Sequence, residues 1–148
     1  MKFILLLLIL TTLTAVALSG PNTWIRRIQS VENGEFWIAQ PPNITLGLSG
    51  SVFELHGDSL LILDQSNGLA VQFNGSGNPV TLEQPDSNNV AQQWVIKLAA
   101  KGEFTICSKS FVDVGPMCIS APSIGNEIIA SLLIINSKSH IWKLIRVN

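Results

Sequence analysis

The residues that could carry covalent chemistry are few in this sequence, and their spacing does not suit it. The segment GLSGS at 47–51 lacks the last glycine of the Gly-x-Ser-x-Gly elbow that exposes a nucleophilic serine. The two histidines, His56 and His140, lie far from each other and from the cysteines, which is not the spacing of a zinc site. A pair of carboxylates of the glycosidase kind would meet only in the fold, so the sequence leaves that chemistry open. We expect a protein that is not an enzyme and that holds no metal and no cofactor.

A set of polar residues offers the hydrogen-bonding groups of a binding site instead. The set comprises Gln72, Thr81, Glu83 and Gln92. Apolar residues alternate with polar ones around them, and the alternation places Val71, Val80 and Leu82 on the inner face of a sheet. The four polar residues are then expected on the opposite face. Ordinary solvent-facing strand residues would give the same pattern, so both interpretations stay open.

The segments that must position these residues read as strands. Short apolar alternations broken by Gly, Pro, Asn, Asp and Ser run along the chain, and helical periodicity is nearly absent. The pairs Asn33-Gly34 and Asn67-Gly68 are typical of tight hairpin turns, because both residue types tolerate a positive φ. The predicted strands are Trp24–Val31, Phe36–Gln40, Ile44–Leu48, Val52–His56, Leu60–Asp64, Leu69–Phe73, Val80–Gln84, Gln93–Lys97, Phe104–Cys107, Cys118–Ala121, Ile128–Ile134 and Ile141–Arg146. About twelve short strands in one small domain indicate an all-β barrel or sandwich.

The amino-terminal segment has the layout of a secretory signal peptide: a lysine, an apolar run and small residues. The apolar run, Phe3–Leu18, is shorter than the roughly 20 residues of a membrane span. Ala15-Val16-Ala17 fits the small-x-small cleavage rule. We therefore predict a signal peptide at 1–19 and one secreted, extracellular domain at 20–148, without a membrane span after cleavage. An uncleaved anchor is the alternative.

Charge and modification motifs limit the classes of partner. The formal net charge is −1 and no basic run is present, so we expect no binding to nucleic acid or anionic membrane. Sequons at Asn43 and Asn74 would be glycosylation acceptors in a eukaryotic secretory pathway.

Cys107 and Cys118 are an even number of cysteines in an exported chain, which favours one disulfide. Alternation in FTIC and MCIS points both side chains outward on neighbouring strands of one hairpin. A cross-strand bridge is therefore reasonable, and two free thiols are the alternative.

The chain repeats itself. Residues 68–94 align with residues 116–142 without a gap, an offset of 48, and Trp94 then falls on Trp142. Phe53 would end a third and more degenerate copy, which divides the domain into repeats at about 21–57, 58–100 and 101–148. Three copies of four strands each predict a β-trefoil. Such a barrel needs one bulky inward residue per repeat, and Phe53, Trp94 and Trp142 can supply it.

These residues resemble the ricin B-type β-trefoil lectins, a carbohydrate-binding family whose repeats end in Gln-x-Trp. Gln92-Gln93-Trp94 carries the motif in full, and His140-Ile141-Trp142 carries its tryptophan. The resemblance implies a shallow sugar site on one repeat. In the family, an Asp grips the sugar hydroxyls, an aromatic residue stacks on the sugar, and a polar pair near Gln-x-Trp completes the site.

The family's site residues are replaced in this chain. The Asp position falls on Gln72, on Ser120 and near Ala39, whereas the aromatic position falls on Glu83 and Ser131. The polar pair falls on Ala91 with Gln92 and on Ser139 with His140. No repeat keeps the acid and the aromatic residue together, so the resemblance implies a degenerate sugar site.

Two functions follow from these patterns. The first is a secreted lectin-type protein that binds a glycan through the polar set of the second repeat. The second is a trefoil without sugar binding that contacts an extracellular protein, as an effector or a protease inhibitor. The loop at 108–117 favours the second, because it carries Phe111, Val112 and Val114 in a segment expected to be exposed.

Overall fold

The computed structural model describes residues 22–110 and 113–148, and this part of the chain is all-β. Its strands are β1 Thr23–Ser30, β2 Phe36–Gln40, β3 Asn43–Gly47, β4 Phe53–His56, β5 Ile62–Asp64, β6 Ala70–Gln72, β7 Thr81–Glu83, β8 Trp94–Ala100, β9 Glu103–Ser108, β10 Met117–Ser120, β11 Ile129–Leu132 and β12 Trp142–Arg146. Each of the twelve predicted strands is confirmed, with ends shifted by a few residues. The predicted signal peptide and two residues of the predicted loop, Phe111 and Val112, lie outside the described residues.

The strands form one sheet that closes on itself. β1 pairs with both β2 and β4, and the order β1-β2-β3-β7-β6-β5-β4 returns to β1, which makes a ring of seven strands. β12, β9, β10 and β11 continue the sheet outward from β1, and β8 pairs with β9. Closure gives each ring strand a partner on both sides, and the ring also bonds to the third repeat, through β1–β12 and through Leu46 N–H to the Asn126 carbonyl.

The sequence offset of 48 is also a structural offset. The indole Nε1–H of Trp94 donates to the Val71 carbonyl at 2.8 Å, and that of Trp142 donates to the Ile119 carbonyl at 2.9 Å. A short 3-10 helix precedes each tryptophan, at Val90–Gln92 and at Lys138–His140. We call β1–β4 the first repeat, β5–β8 the second and β9–β12 the third.

The hairpins β2–β3, β6–β7 and β10–β11 meet at one end of the barrel through their buried residues. The backbone N–H of Val80 donates to the Ile128 carbonyl, and that of Ile128 donates to the Ile44 carbonyl, both at 3.1 Å. The residues that follow Val80, Ile128 and Ile44 each have a partner on the other strand of their own hairpin. The three equivalent pairs are Thr81–Gln72, Ile129–Ser120 and Thr45–Ile38.

Ile38 therefore occupies the place of Gln72 in the first repeat. The sequence comparison assigned that place near Ala39, one residue away. The shortened loop of the first repeat leaves no ungapped alignment by which to fix the register from sequence.

The core is built on large aromatic side chains. Phe53, Trp94 and Trp142 are almost fully buried, which confirms the predicted bulky inward residue of each repeat. Trp37, which the repeat pattern did not single out, packs edge-on against Phe53 and Trp142 with ring centroids 5.5 and 5.4 Å apart. Branched aliphatic residues from every repeat fill the remaining space.

The predicted disulfide between Cys107 and Cys118 is confirmed, and the two residues lie directly opposite each other on β9 and β10. Both side chains are buried, Cys118 completely, although they lie on the strand face opposite to that of the core residues Ile106 and Ile119. β9 pairs with β12 at Phe104 but with β10 at Cys107, so the strand changes partner along its length. Alternation assigns a residue to one face of a sheet and does not show whether other parts of the chain cover that face.

Candidate functional site

The four residues predicted for the binding site come together at the β6–β7 hairpin. Gln72 and Thr81 are cross-strand partners, and the Thr81 hydroxyl donates to Glu83 Oε1 at 3.0 Å. Gln92, in the 3-10 helix before Trp94, donates from Nε2 to Gln72 Oε1 at 3.1 Å. Val71, Val80 and Leu82 are buried, as the alternation predicts.

Gln92 does not lie on the outer face, contrary to the prediction, because its side chain is only 1% exposed. Its amide is fully engaged: Nε2 also donates to the Gln84 carbonyl at 2.9 Å, and Oε1 accepts from the Asp86 backbone N–H at 2.7 Å. Alternation describes strands, whereas Gln92 belongs to a helical turn that folds under the hairpin. Gln92 therefore contributes to the site by holding the Gln72 side chain in place.

Asn74 is a member of the site that the sequence reasoning assigned only to glycosylation. Its Nδ2 donates to Thr81 Oγ1 at 2.8 Å and to the Pro79 carbonyl at 3.1 Å. Its Oδ1 accepts from Gln72 Nε2 at 3.1 Å. The position two residues beyond a polar strand end, in a Gly- and Asn-rich turn, was the available signal. We call Gln72, Asn74, Thr81, Glu83 and Gln92 together the second-repeat cluster.

The outer groups of this cluster can both accept and donate hydrogen bonds. Glu83 is exposed. Of its two carboxylate oxygens, Oε1 accepts a hydrogen bond from a described side chain and Oε2 does not. Gln72 is half-buried, and its side chain is fixed by hydrogen bonds to Asn74 and Gln92. One of its two amide hydrogens is used in the bond to Asn74, which leaves the other for a ligand. A carboxylate oxygen and an amide N–H on the same hairpin suit a ligand rich in hydroxyl groups.

The third repeat carries a smaller cluster at the equivalent positions, which we call the third-repeat cluster: Ser120, Ser131 and His140. Ser131 Oγ lies 3.0 Å from His140 Nε2 and 3.2 Å from Ser120 Oγ. His140 is buried, and this burial lowers the pKa of its imidazole, with a partly compensating effect of Glu32. The first repeat has Ile38 at the equivalent place, so the polar arrangement is confined to two repeats.

Two further findings on the described residues concern metal ligands and membrane-spanning helices. Among residues 22–110 and 113–148, no group of three or more His, Cys, Asp or Glu side chains could hold a metal ion. Within the same ranges, no helix has the length and hydrophobicity needed to cross a membrane.

No protein-family model and no curated relative matches the chain. Its fold is similar to that of a salivary protein from Culex quiquefasciatus in the Cysteine and Tryptophan-Rich family, with a TM-score of 0.71 and 13% identity over 87% of this chain and 97% of that one. A ricin B-like lectin from Macrolepiota procera, solved with lactose, gives a TM-score of 0.64 and 14% identity over 83% and 95% of the two chains. A proteinase inhibitor from Coprinopsis cinerea gives 0.66 and 14% over 86% and 99%. At these identities the likeness establishes a shared fold.

Proposed function

We propose that the chain is a secreted β-trefoil of three four-stranded repeats that binds a carbohydrate through its second-repeat cluster. The repeated tryptophan hydrogen bonds and the meeting of the three hairpins support the trefoil assignment. The disulfide is consistent with an oxidising, extracellular compartment, and one structural neighbour is described as a salivary protein.

The observation that carries the proposal is the preorganisation of the second-repeat cluster. Gln72 is fixed by Gln92 from below and by Asn74 from the side, so little side-chain entropy remains to be lost when a ligand binds. Glu83 presents its carboxylate on the same hairpin and is linked to this amide through the side chains of Thr81 and Asn74. A sugar would donate a hydroxyl hydrogen to Glu83 and accept one from Gln72 Nε2.

The chemistry of the cluster also sets the expected strength of binding. No aromatic ring belongs to the cluster, so the stacking contribution of about 0.5–1.5 kcal/mol is missing. That loss weakens the dissociation constant by about two- to tenfold relative to a site with a ring. Presentation of many glycans on a surface, which raises avidity, is therefore the appropriate assay format.

The test is a glycan array probed with the mature, oxidised chain and two matched double variants. Gln72→Ala with Glu83→Ala removes the outer groups of the second-repeat cluster, and Ser120→Ala with Ser131→Ala does the same in the third repeat. We expect binding to a defined glycan class that only the first pair abolishes. Loss in the second pair alone would move the site to the third repeat. Absence of binding by folded wild-type protein would refute the lectin function.

A second candidate function is the contact of an extracellular protein, as a protease inhibitor or effector. Leu98, Ile134 and Ile135 are 68%, 62% and 81% exposed and line a groove of about 460 Å³ between the β8–β9 hairpin and the loop after β11. At the offset of 48, the second repeat has Asp86 and Ser87 in place of the two isoleucines. Exposed apolar residues at a position that is polar in the sister repeat favour a contact surface.

Two further observations bear on this alternative. Val114 in the predicted contact loop is 69% exposed, and a structural neighbour is described as a proteinase inhibitor. Inhibition assays against serine and cysteine proteases test this function directly. Inhibition should fall when Ile134 and Ile135 are both changed to Ser, and it should survive Gln72→Ala with Glu83→Ala. Lack of inhibition across the panel would remove the inhibitor function.

A further inference from the structure

A separate cavity lies beside the ring, between β8 and the β4–β5 hairpin. Among the described strands, β8 pairs with β9. One backbone hydrogen bond also connects β8 to the segment before β5, from the Trp94 N–H to the Leu60 carbonyl at 2.9 Å. The cavity has a volume of about 160 Å³. Its apolar lining includes Trp24, Leu55, Leu60, Ile62, Trp94 and Ile96.

We propose that this cavity binds a small apolar molecule, a single aromatic ring or a compact aliphatic group of similar size. Leu55, Ile62 and Trp94 are 3%, 1% and 1% exposed and form rigid walls, whereas Trp24 is 46% exposed and accessible to a ligand. An engineered cavity of about 150 Å³ lined by aliphatic and aromatic residues takes up benzene. The same volume is too small for a helix or for the face of a folded partner.

The polar groups near the cavity favour an apolar ligand over a polar one. His56 lines the cavity, but both of its ring nitrogens have partners: Nδ1 lies 3.3 Å from Thr23 Oγ1, and Nε2 lies 3.1 Å from Glu54 Oε2. These bonds satisfy the imidazole internally. Of the other described residues that line the cavity, only Asn22 has a polar side chain, so a hydroxyl-rich ligand would find fewer polar partners here than at the second-repeat cluster.

Leu60 supplies an independent sign of function. Its φ of +60° lies in the left-handed region, where glycine stands in other turns of the described chain, such as Gly34, Gly68 and Gly102. A branched side chain in that region costs energy, and such strain concentrates at ligand sites. In Leu60 the strained backbone delivers both the carbonyl that joins β5 to β8 and a side chain that lines the cavity.

The test uses the indole N–H signals of the four tryptophans in a ¹⁵N-labelled, oxidised mature chain. Trp24 and Trp94 line the cavity, whereas Trp37 and Trp142 pack against each other in the core. Titration with toluene should shift the signals of Trp24 and Trp94 saturably and leave those of Trp37 and Trp142 in place. Shifts in all four, no shift at all, or a linear response without saturation would overturn the proposal.

Two variants make the test specific. Ile96→Phe fills the cavity from a half-buried position and should weaken toluene binding at least tenfold, whereas Leu48→Phe, at an exposed site away from the cavity, should leave it unchanged. If Ile96→Phe does not fold, Leu60→Asn serves instead, because Asn tolerates a positive φ and removes the apolar wall. Unchanged binding in the folded cavity variant would overturn the proposal. The proposal does not depend on sugar binding, because the Gln72→Ala, Glu83→Ala variant should bind toluene normally.

Discussion

The amide of Gln92 is the point at which the fold and the proposed site depend on the same side chain. It makes three hydrogen bonds while almost fully buried, to Gln72, to the Gln84 carbonyl and to the Asp86 N–H. Each bond contributes about 0.5–1.5 kcal/mol net. Since Gln84 and Asp86 are exposed residues, water can replace part of what they lose. We therefore expect Gln92→Ala to lower the free energy of unfolding by about 2 kcal/mol.

The neighbouring glutamine provides the matched control. Gln93 Nε2 makes one hydrogen bond, to the exposed Ser87 carbonyl at 2.8 Å, so Gln93→Ala should cost less than about 0.5 kcal/mol. Urea unfolding followed by tryptophan fluorescence measures both variants, with the midpoint shifted and the slope unchanged for Gln92→Ala. In a domain of this size, about 2 kcal/mol corresponds to a fall in Tm of roughly 8 °C. Equal effects of the two substitutions would refute the supporting role of the Gln92 amide.

Three further predictions concern stability and modification. Because burial lowers the pKa of His140 in the folded state, the unfolded chain protonates first, so stability should fall as pH drops from about 6.5 toward the folded pKa. The urea midpoint of the wild-type chain should fall over this pH range, and that of His140→Gln should not. A wild-type midpoint that does not change with pH would contradict a lowered pKa of His140. If the sequons are used, glycosylation should occur at Asn43 in preference to Asn74, whose Nδ2 is engaged within the cluster, and peptide mass spectrometry after secretion from eukaryotic cells measures both occupancies. Replacing Cys107 and Cys118 together by Ala should cost up to about 3 kcal/mol, measured by urea unfolding, and a loss below 0.5 kcal/mol would contradict a structural role for the bridge.

The strands were predictable because their signals are local. Alternation of apolar residues and Asn-Gly turns depends on a few neighbouring residues, and the ungapped match of 68–94 with 116–142 fixed the second and third repeats against each other. The first repeat was harder. Its shortened loop moves the register by one residue, and Ile38 rather than Ala39 stands at the place of Gln72.

The errors arose where a residue's surroundings are set by distant parts of the chain. Cys107 is buried although it lies on the face opposite to the core residue Ile106, and Gln92 is buried in the 3-10 helix before Trp94, where strand alternation does not apply. The role of Asn74 depends on Thr81, across the turn. The apolar cavity is lined by residues of β1, β4, β5 and β8, which no local pattern brings together.

The most direct test of carbohydrate binding at the second-repeat cluster is an NMR titration of the ¹⁵N-labelled chain with the glycan that binds best on the array. It follows the side-chain amide and backbone signals. We expect saturable shifts of the Gln72 side-chain amide and of the Thr81 and Glu83 backbone, with the Ser131 and His140 signals unchanged. Shifts confined to the third-repeat cluster, or no shift in either cluster at glycan concentrations that saturate the array signal, would contradict binding at the second-repeat cluster.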